Sequence, residues 1–160
     1  MRILLAAVGK LKAGPDRELF DRYWERLQLS GRKVGLTSAK AVELAESRAA
    51  AVAERKADEA ARLQRCIAPG ACVVALDETG KPLTSAQFAA FVRARCDGGT
   101  PELAVLIGGP DGHGAEVLRR ADLVLNLGTM TLPHGLARIV LAEQLYRATT
   151  ILSGHPYHRV

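Results

Sequence analysis

The 160-residue chain lacks most of the signatures that assign a protein quickly. No apolar run approaches the roughly 20 residues needed to cross a bilayer, so no membrane anchor is expected. The first apolar stretch, residues 2–8, is too short for the core of a secretion signal, and no small-residue cleavage site follows it. There are only three cysteines, Cys66, Cys72 and Cys96. They form no CxxC pair and leave an odd thiol, which fits small buried residues in a reduced cytoplasm. The stretch Gly108 to Gly114 is rich in glycine, but no Gly-Lys-Ser/Thr closes it and it does not spell GxGxxG. The first strand carries no such loop either, so ATPase and dinucleotide readings fall away. His155 and His158 are spaced like metal ligands, yet no Cys or carboxylate accompanies them in the tail, and no metal is expected. With no repeats, low-complexity tracts or linkers, one domain over residues 1–160 is the expectation.

What is present is a chain with 48% hydrophobic residues, enough for a proper core at this length. The net charge of +5 is unevenly placed. Residues 1–33 hold eight Lys/Arg against four acids, and residues 130–160 hold three against one, while 34–129 are nearly balanced. Basic ends and a pI near 9.4 suit a polyanionic partner such as RNA.

Taken in order, residues 2–8 read as a buried strand closed by Gly9. Lys10 and Lys12 lie in the loop that ends at Gly14-Pro15. Residues 16–29 carry Leu19, Phe20, Tyr23, Trp24 and Leu27 at helical spacing, a core stripe rather than a base-stacking platform. A weak second strand is expected at 34–38, then one long Ala/Glu/Arg/Lys helix over 41–66. Residues 72–76 form a third strand, followed by a turn-rich loop over 77–82. Thr84 or Ser85 caps a helix that runs to about Arg95. A fourth strand at 103–107, a short helix near 115–120 and a fifth strand at 122–127 follow. Strands alternating with helices predict an α/β fold, a parallel sheet with helices on both faces.

Two of these strands end in glycine-bearing loops, 108–114 and 128–131. In such sheets ligands sit beyond the carboxyl ends of the strands, so the site is expected there. Glycines allow a ligand close to the backbone, and they equally serve a tight turn. Pro133 suits the first turn of the last helix, with Thr131 as its cap. From 134 to 148 that helix is apolar almost all round, which predicts enclosure on most sides. A second subunit is the economical cover. Glu143 and Arg147, one turn apart, make at least an ordinary helix ion pair.

Val8-Gly9-Lys10-Leu11-Lys12, Leu76-Asp77 with Gly80-Lys81-Pro82, and Leu106-Ile107-Gly108-Gly109-Pro110-Asp111-Gly112 carry a resemblance. So do Thr131-Leu132-Pro133-His134, Glu143-Gln144-Leu145-Tyr146-Arg147-Ala148 and His155-Pro156-Tyr157-His158-Arg159. In order and across the whole length, the chain resembles the RlmH-type family of the knotted SPOUT superfamily, methyltransferases acting on N3 of a pseudouridine in 23S ribosomal RNA. The resemblance implies a C-terminal trefoil knot, which general topology rules would exclude. It implies S-adenosylmethionine held by Leu76, by Gly108 with Gly109, and by Leu127, Gly128, Thr129, Met130, Thr131 and Leu132. It also implies a cytoplasmic homodimer packed through the last helix, acting on a stem-loop at the subunit interface of the assembled ribosome. One departure is visible: after Gly112 the chain reads His113-Gly114-Ala115, and His113 receives no role.

The implied reaction is an in-line displacement at a sulfonium methyl, so alignment is the main task. The N3–H must be lost to a base, and charge on the flanking carbonyls needs cationic or N–H donors. His158 is the base expected from the resemblance, with Tyr157 second. Arg147 and Arg159 are expected to hold a phosphate or carbonyl, with Glu143 orienting Arg147 and His134 merely beginning the helix. Two alternatives stand beside this reading: a non-catalytic RNA-binding module that uses the basic ends, and a SPOUT-type enzyme acting on tRNA.

Overall fold

The structure is a computed structural model that describes residues 1–158. Arg159, expected to hold substrate, lies outside the described residues. The elements are β1 (Arg2–Val8), α1 (Pro15–Gly31), a 3₁₀ turn (Arg32–Val34), β2 (Ser38–Leu44), α2 (Val52–Cys66), β3 (Cys72–Pro82), α3 (Ser85–Asp97), β4 (Glu102–Ile107), α4 (Ala115–Arg120), β5 (Leu123–Asn126) and α5 (His134–Leu152). Neighbouring strands run parallel in the order β2-β1-β4-β3-β5.

Because strand side chains alternate, the central strands feed two cores. Ile3, Leu5, Ala7, Val74, Leu103, Val105 and Ile107 meet α1, α3 and α5 through Phe20, Trp24, Leu27, Phe88, Val92, Leu141 and Leu145. Leu4, Ala6, Val8, Val73, Ala75, Ala104 and Leu106 meet α2 and α4 through Ala60, Leu63 and Val117. Both faces are covered, which is why these strands read as unbroken apolar runs. The cysteines are free and Cys72 is buried; burial pushes its thiol up to about 11.

Four boundaries differ from expectation. The second strand begins only at Ser38, opposite Arg2. Before it, Gly35 at φ +87° ends the 3₁₀ turn, and the Leu36 amide bonds the Gly31 carbonyl instead of a strand. Residues 41–44 are therefore strand, and the helix expected from 41 starts at Val52. Pairing along the edge of β1 outweighs the helix preference of Ala and Glu there. Side chains of α2 hold the intervening loop: the Ser47 amide donates to Glu59 at 2.8 Å, and Arg62 donates to the Ala45 carbonyl at 2.7 Å.

The third strand does not stop at Leu76. The chain bulges over 77–80 and pairs again through Lys81 and Pro82 with Leu125 and Asn126. At the helix starts, Thr84 caps α3 as expected, in a reciprocal box with Gln87, whereas Thr131 does not cap α5. Pro133 occupies that position with no side-chain bond, and the locked φ of proline starts the helix without one.

Candidate active site

The carboxyl ends of β3, β4 and β5 and the first turn of α5 enclose a cavity of about 490 Å³. That size lies within the usual range for a small-molecule site. Its wall includes Leu76, Gly108, Gly109, Leu127, Gly128, Met130, Thr131 and Leu132, so residues assigned by resemblance come together from three separate stretches. Thr129 is exposed and is not part of the wall. The sequence reading missed Asp77, Glu78, Thr79, Asn126 and Lys56, which also line the cavity. Asp77 and Glu78 were legible as a polar pair at a strand end, but only the bulge in β3 turns them to the site.

The Gly108–Gly114 loop owes its shape to glycine. A Cβ on Gly108 would stand 2.9 Å from the Gly112 carbonyl carbon and 3.0 Å from the His113 nitrogen, because the loop doubles back on itself. Gly109 and Gly112 form an isolated bridge, and Gly112 has a φ of +76°. Gly109 rests on Glu59 Oε2, 2.6 Å from where a Cβ would be. The turn and the ligand wall are thus the same glycines. Asp111 anchors the loop to α2 through Arg55 Nε at 2.7 Å, and that bond holds its carboxyl below the usual range. His113 is buried with Nε2 3.3 Å from the Leu106 carbonyl, and burial pushes its pKa down. It is a neutral packing group in the wall.

Across the cavity, Asn126 ties β5 to β3: its Nδ2 donates to the Glu78 carbonyl, and its Oδ1 accepts from the Gly128 amide, each at 2.7 Å. Leu76, Ile107, Leu118, Leu127 and Leu132 supply apolar walls, and the carboxylates of Asp77 and Glu78 supply acceptors. Such a chamber suits a flat heterocycle that carries hydroxyls and a positive charge.

A second cluster forms on the far half of α5. Glu143 Oε1 accepts from Arg147 Nε at 2.9 Å, from Arg147 Nη2 at 2.6 Å and from Tyr157 Oη at 3.1 Å; Gln144 donates to Oε2 at 2.7 Å. The Tyr157 ring packs on Tyr146 with centroids 4.7 Å apart, and the Arg147 guanidinium lies 5.1 Å from the Tyr157 centroid. Burial, with Tyr23 and Glu143 beside it, pushes the Tyr157 phenol well above its ordinary value. In this arrangement it donates to Glu143. His158 is half-buried, with Nδ1 enclosed and unpartnered among the described residues. The structure therefore unites Glu143, Arg147 and Tyr157, and holds them apart from the cavity. Ala137 lines the cavity, and ten residues of helix to Arg147 span about 15 Å.

Among the described residues no His/Cys/Asp/Glu group converges as a metal site, and no helix is long and apolar enough to cross a membrane. Residues 1–158 match the family described as predicted SPOUT methyltransferase. A ribosomal RNA large subunit methyltransferase H from Rhizobium meliloti (strain 1021) is 54% identical over 159 residues, 99% of each chain. A protein of the same name from Sinorhizobium fredii is 53% identical over 159 residues, again 99% of each. A solved SpoU methyltransferase, AviRb from Streptomyces viridochromogenes in complex with AdoMet, aligns at a TM-score of 0.41 and 11% identity. That alignment spans 92% of this chain and 59% of its own.

Proposed function

Since this chain belongs to the SPOUT methyltransferase family, we propose that it transfers a methyl group from S-adenosylmethionine to large-subunit ribosomal RNA. The finer target is N3 of a pseudouridine in 23S ribosomal RNA on the assembled ribosome, acted on in the cytoplasm by one domain spanning residues 1–160. The knot implied by the resemblance belongs to the same reading. The observation that carries it is the cavity where the carboxyl ends of three strands meet, two of them running into glycine-bearing loops. Backbone groups of Gly108, Gly109 and residues 127–132 suit the adenine edge, apolar walls suit its faces, and the Asp77 and Glu78 carboxylates suit ribose hydroxyls or a cationic centre. When bound, S-adenosylmethionine supplies an electrophilic methyl on a sulfonium.

The chain must then align N3 with that carbon and take up the imide proton. His158 is the proposed base. Arg147, held in orientation by Glu143, offers N–H donors to the carbonyl beside N3 or to a phosphate, and Tyr157 locks Glu143. The roughly 15 Å between this cluster and the cavity along α5 supports a homodimer, in which the cluster of one copy serves the cavity of the other. A groove beside α5, lined by Leu83, Phe88, Leu125, Leu127 and Val140 with Thr84, Ser85, Asn126 and Gln144 among them, suits a second copy.

The test is mass spectrometry of 23S ribosomal RNA from a strain without this protein, paired with calorimetric titration of S-adenosylmethionine. Loss of one methylpseudouridine and measurable donor affinity are expected. A protein that binds no donor is the RNA-binding module instead, and a methyl lost from tRNA alone moves the substrate.

A further inference from the structure

One arginine of α5 has no place in that chemistry. Arg138 is 2% exposed and lies one turn beyond His134. Its Nη1 donates to Glu43 Oε1 at 2.7 Å, and its Nη2 to the Val8 and Gly9 carbonyls, each at 3.3 Å. Arg17 Nη2 donates to Glu43 Oε2 at 2.7 Å and to the Leu11 carbonyl at 2.9 Å. The Leu11 amide donates to Glu43 Oε1 at 3.1 Å. One carboxylate from β2 and two guanidiniums, from α1 and α5, thus hold four backbone groups of the short stretch 8–11.

The loop is also pressed against the helix that borders the cavity. A Cβ on Gly135 would stand 2.7 Å from Asp16 Oδ2 and 3.6 Å from Leu11 Cδ2. The residue before it, His134, lines the cavity. Removing ions from water costs several kcal/mol each, and such networks often stabilise less than apolar packing would. The geometry they impose is the more specific result. Here they fix a loop whose only charged side chains, Lys10 and Lys12, are both exposed and lie outside the cavity wall. Asp16 and Glu46 stand at the base of that loop, so the positive charge is confined to its tip.

We infer that Arg138, Glu43 and Arg17 are positioning residues for the RNA substrate: they hold the 9–14 loop so that Lys10 and Lys12 take backbone phosphates of the target strand beside the methyl-donor cavity. The inference rests on the methyltransferase reading and names how that site grips its substrate.

The test compares ribosome binding over a range of salt concentrations, and the KM and kcat for ribosomes, in wild type, Lys10→Ala/Lys12→Ala, Glu43→Gln and Arg138→Met. Each lost phosphate contact should lower the log–log salt slope by about 0.7–0.9. The double lysine variant should therefore lose about 1.5 from the slope, with KM rising more than kcat falls and donor affinity retained. Glu43→Gln should lower the slope in the same direction although it touches no RNA, and should add nothing to the lysine variant. A merely structural residue would weaken binding independently and leave the slope alone. If Arg138→Met does not fold, Glu43→Gln and Arg17→Met carry the comparison. A lysine variant with the wild-type slope and KM overturns the inference while the methyltransferase reading stands. A wild-type protein that binds no S-adenosylmethionine overturns both.

Discussion

Gly108 tolerates no side chain because the atoms facing it are backbone, which cannot rotate away. A Cβ 2.9 Å from the Gly112 carbonyl carbon must open the loop that walls the cavity. Gly108→Ala should therefore abolish donor binding and cost about 1–3 kcal/mol of stability, as overpacking usually does. Full calorimetric affinity in that variant would place the donor elsewhere. Glu43 carries a pH dependence. Burial pushes its carboxyl up, but the Leu11 amide, Arg17 and Arg138 together hold it below the ordinary value of 4.5. A carboxyl depressed in the fold stabilises above its unfolded pKa and loses that contribution as pH falls through the folded one. Glu43→Gln should flatten the acid limb of stability below about pH 4.5, read from urea melts. In the tail, deleting residues 157–160 should leave donor affinity and dimerisation nearly intact. Methyl transfer should fall about 10²–10⁴-fold if a general base is lost. In His158→Ala, rescue at high pH supports a base, and a pH-independent loss supports positioning. A truncated protein at full rate removes the tail from the chemistry.

Among the elements, β3 shapes one wall of the cavity. Its bulge brings Asp77 and Glu78 to the wall, and its second pairing with β5 works only because Gly80 lies flush on the neighbouring backbone. A Cβ there would meet the Val124 carbonyl at 2.7 Å. Gly80→Ala should push β5 off β3, destabilise the protein by about 1–3 kcal/mol and weaken donor binding together with stability. Unfolding curves and calorimetry on one variant check both. This pairing was not legible, since Asp-Glu-Thr-Gly-Lys-Pro reads locally as a turn. The β2–α2 boundary was hidden for a related reason: strand pairing is a contact with distant residues, while Ala, Glu and Arg report only local preference. The glycine loop, α4 and the α3 cap were legible because short-range rules decide them.

For the whole molecule, α5, apolar almost all round, is covered mostly from within. It lies between α1 and α3 against the sheet, and Ser30 Oγ and Thr149 Oγ1 meet at 2.6 Å across the α1 contact. Leu141 and Leu145 belong to that core at 0% and 1% exposure, whereas Leu136 is 44% exposed and Val140 half-buried. A charge at Leu141 would unfold the chain, so Val140→Glu is the discriminating variant. It should yield folded monomers by sedimentation and circular dichroism, with methyl transfer lost if the two copies share a site. A wild-type protein that sediments as a monomer removes the second copy from the proposed site.

By itself the sequence determined the alternation of strands and helices, the two-sided burial of β1, β3 and β4, and the loops at the cavity. Each follows from periodicity, chain length or glycine at a stretch of a few residues. The tertiary structure decided what no local pattern encodes: the re-pairing of β3, the Glu43 network that draws three elements onto one loop, and the distance between the cavity and the Glu143 cluster. These depend on residues up to 130 positions apart, from Val8 to Arg138. Their proximity is a property of packing, since a buried charge finds its partners only once both core faces have closed around it.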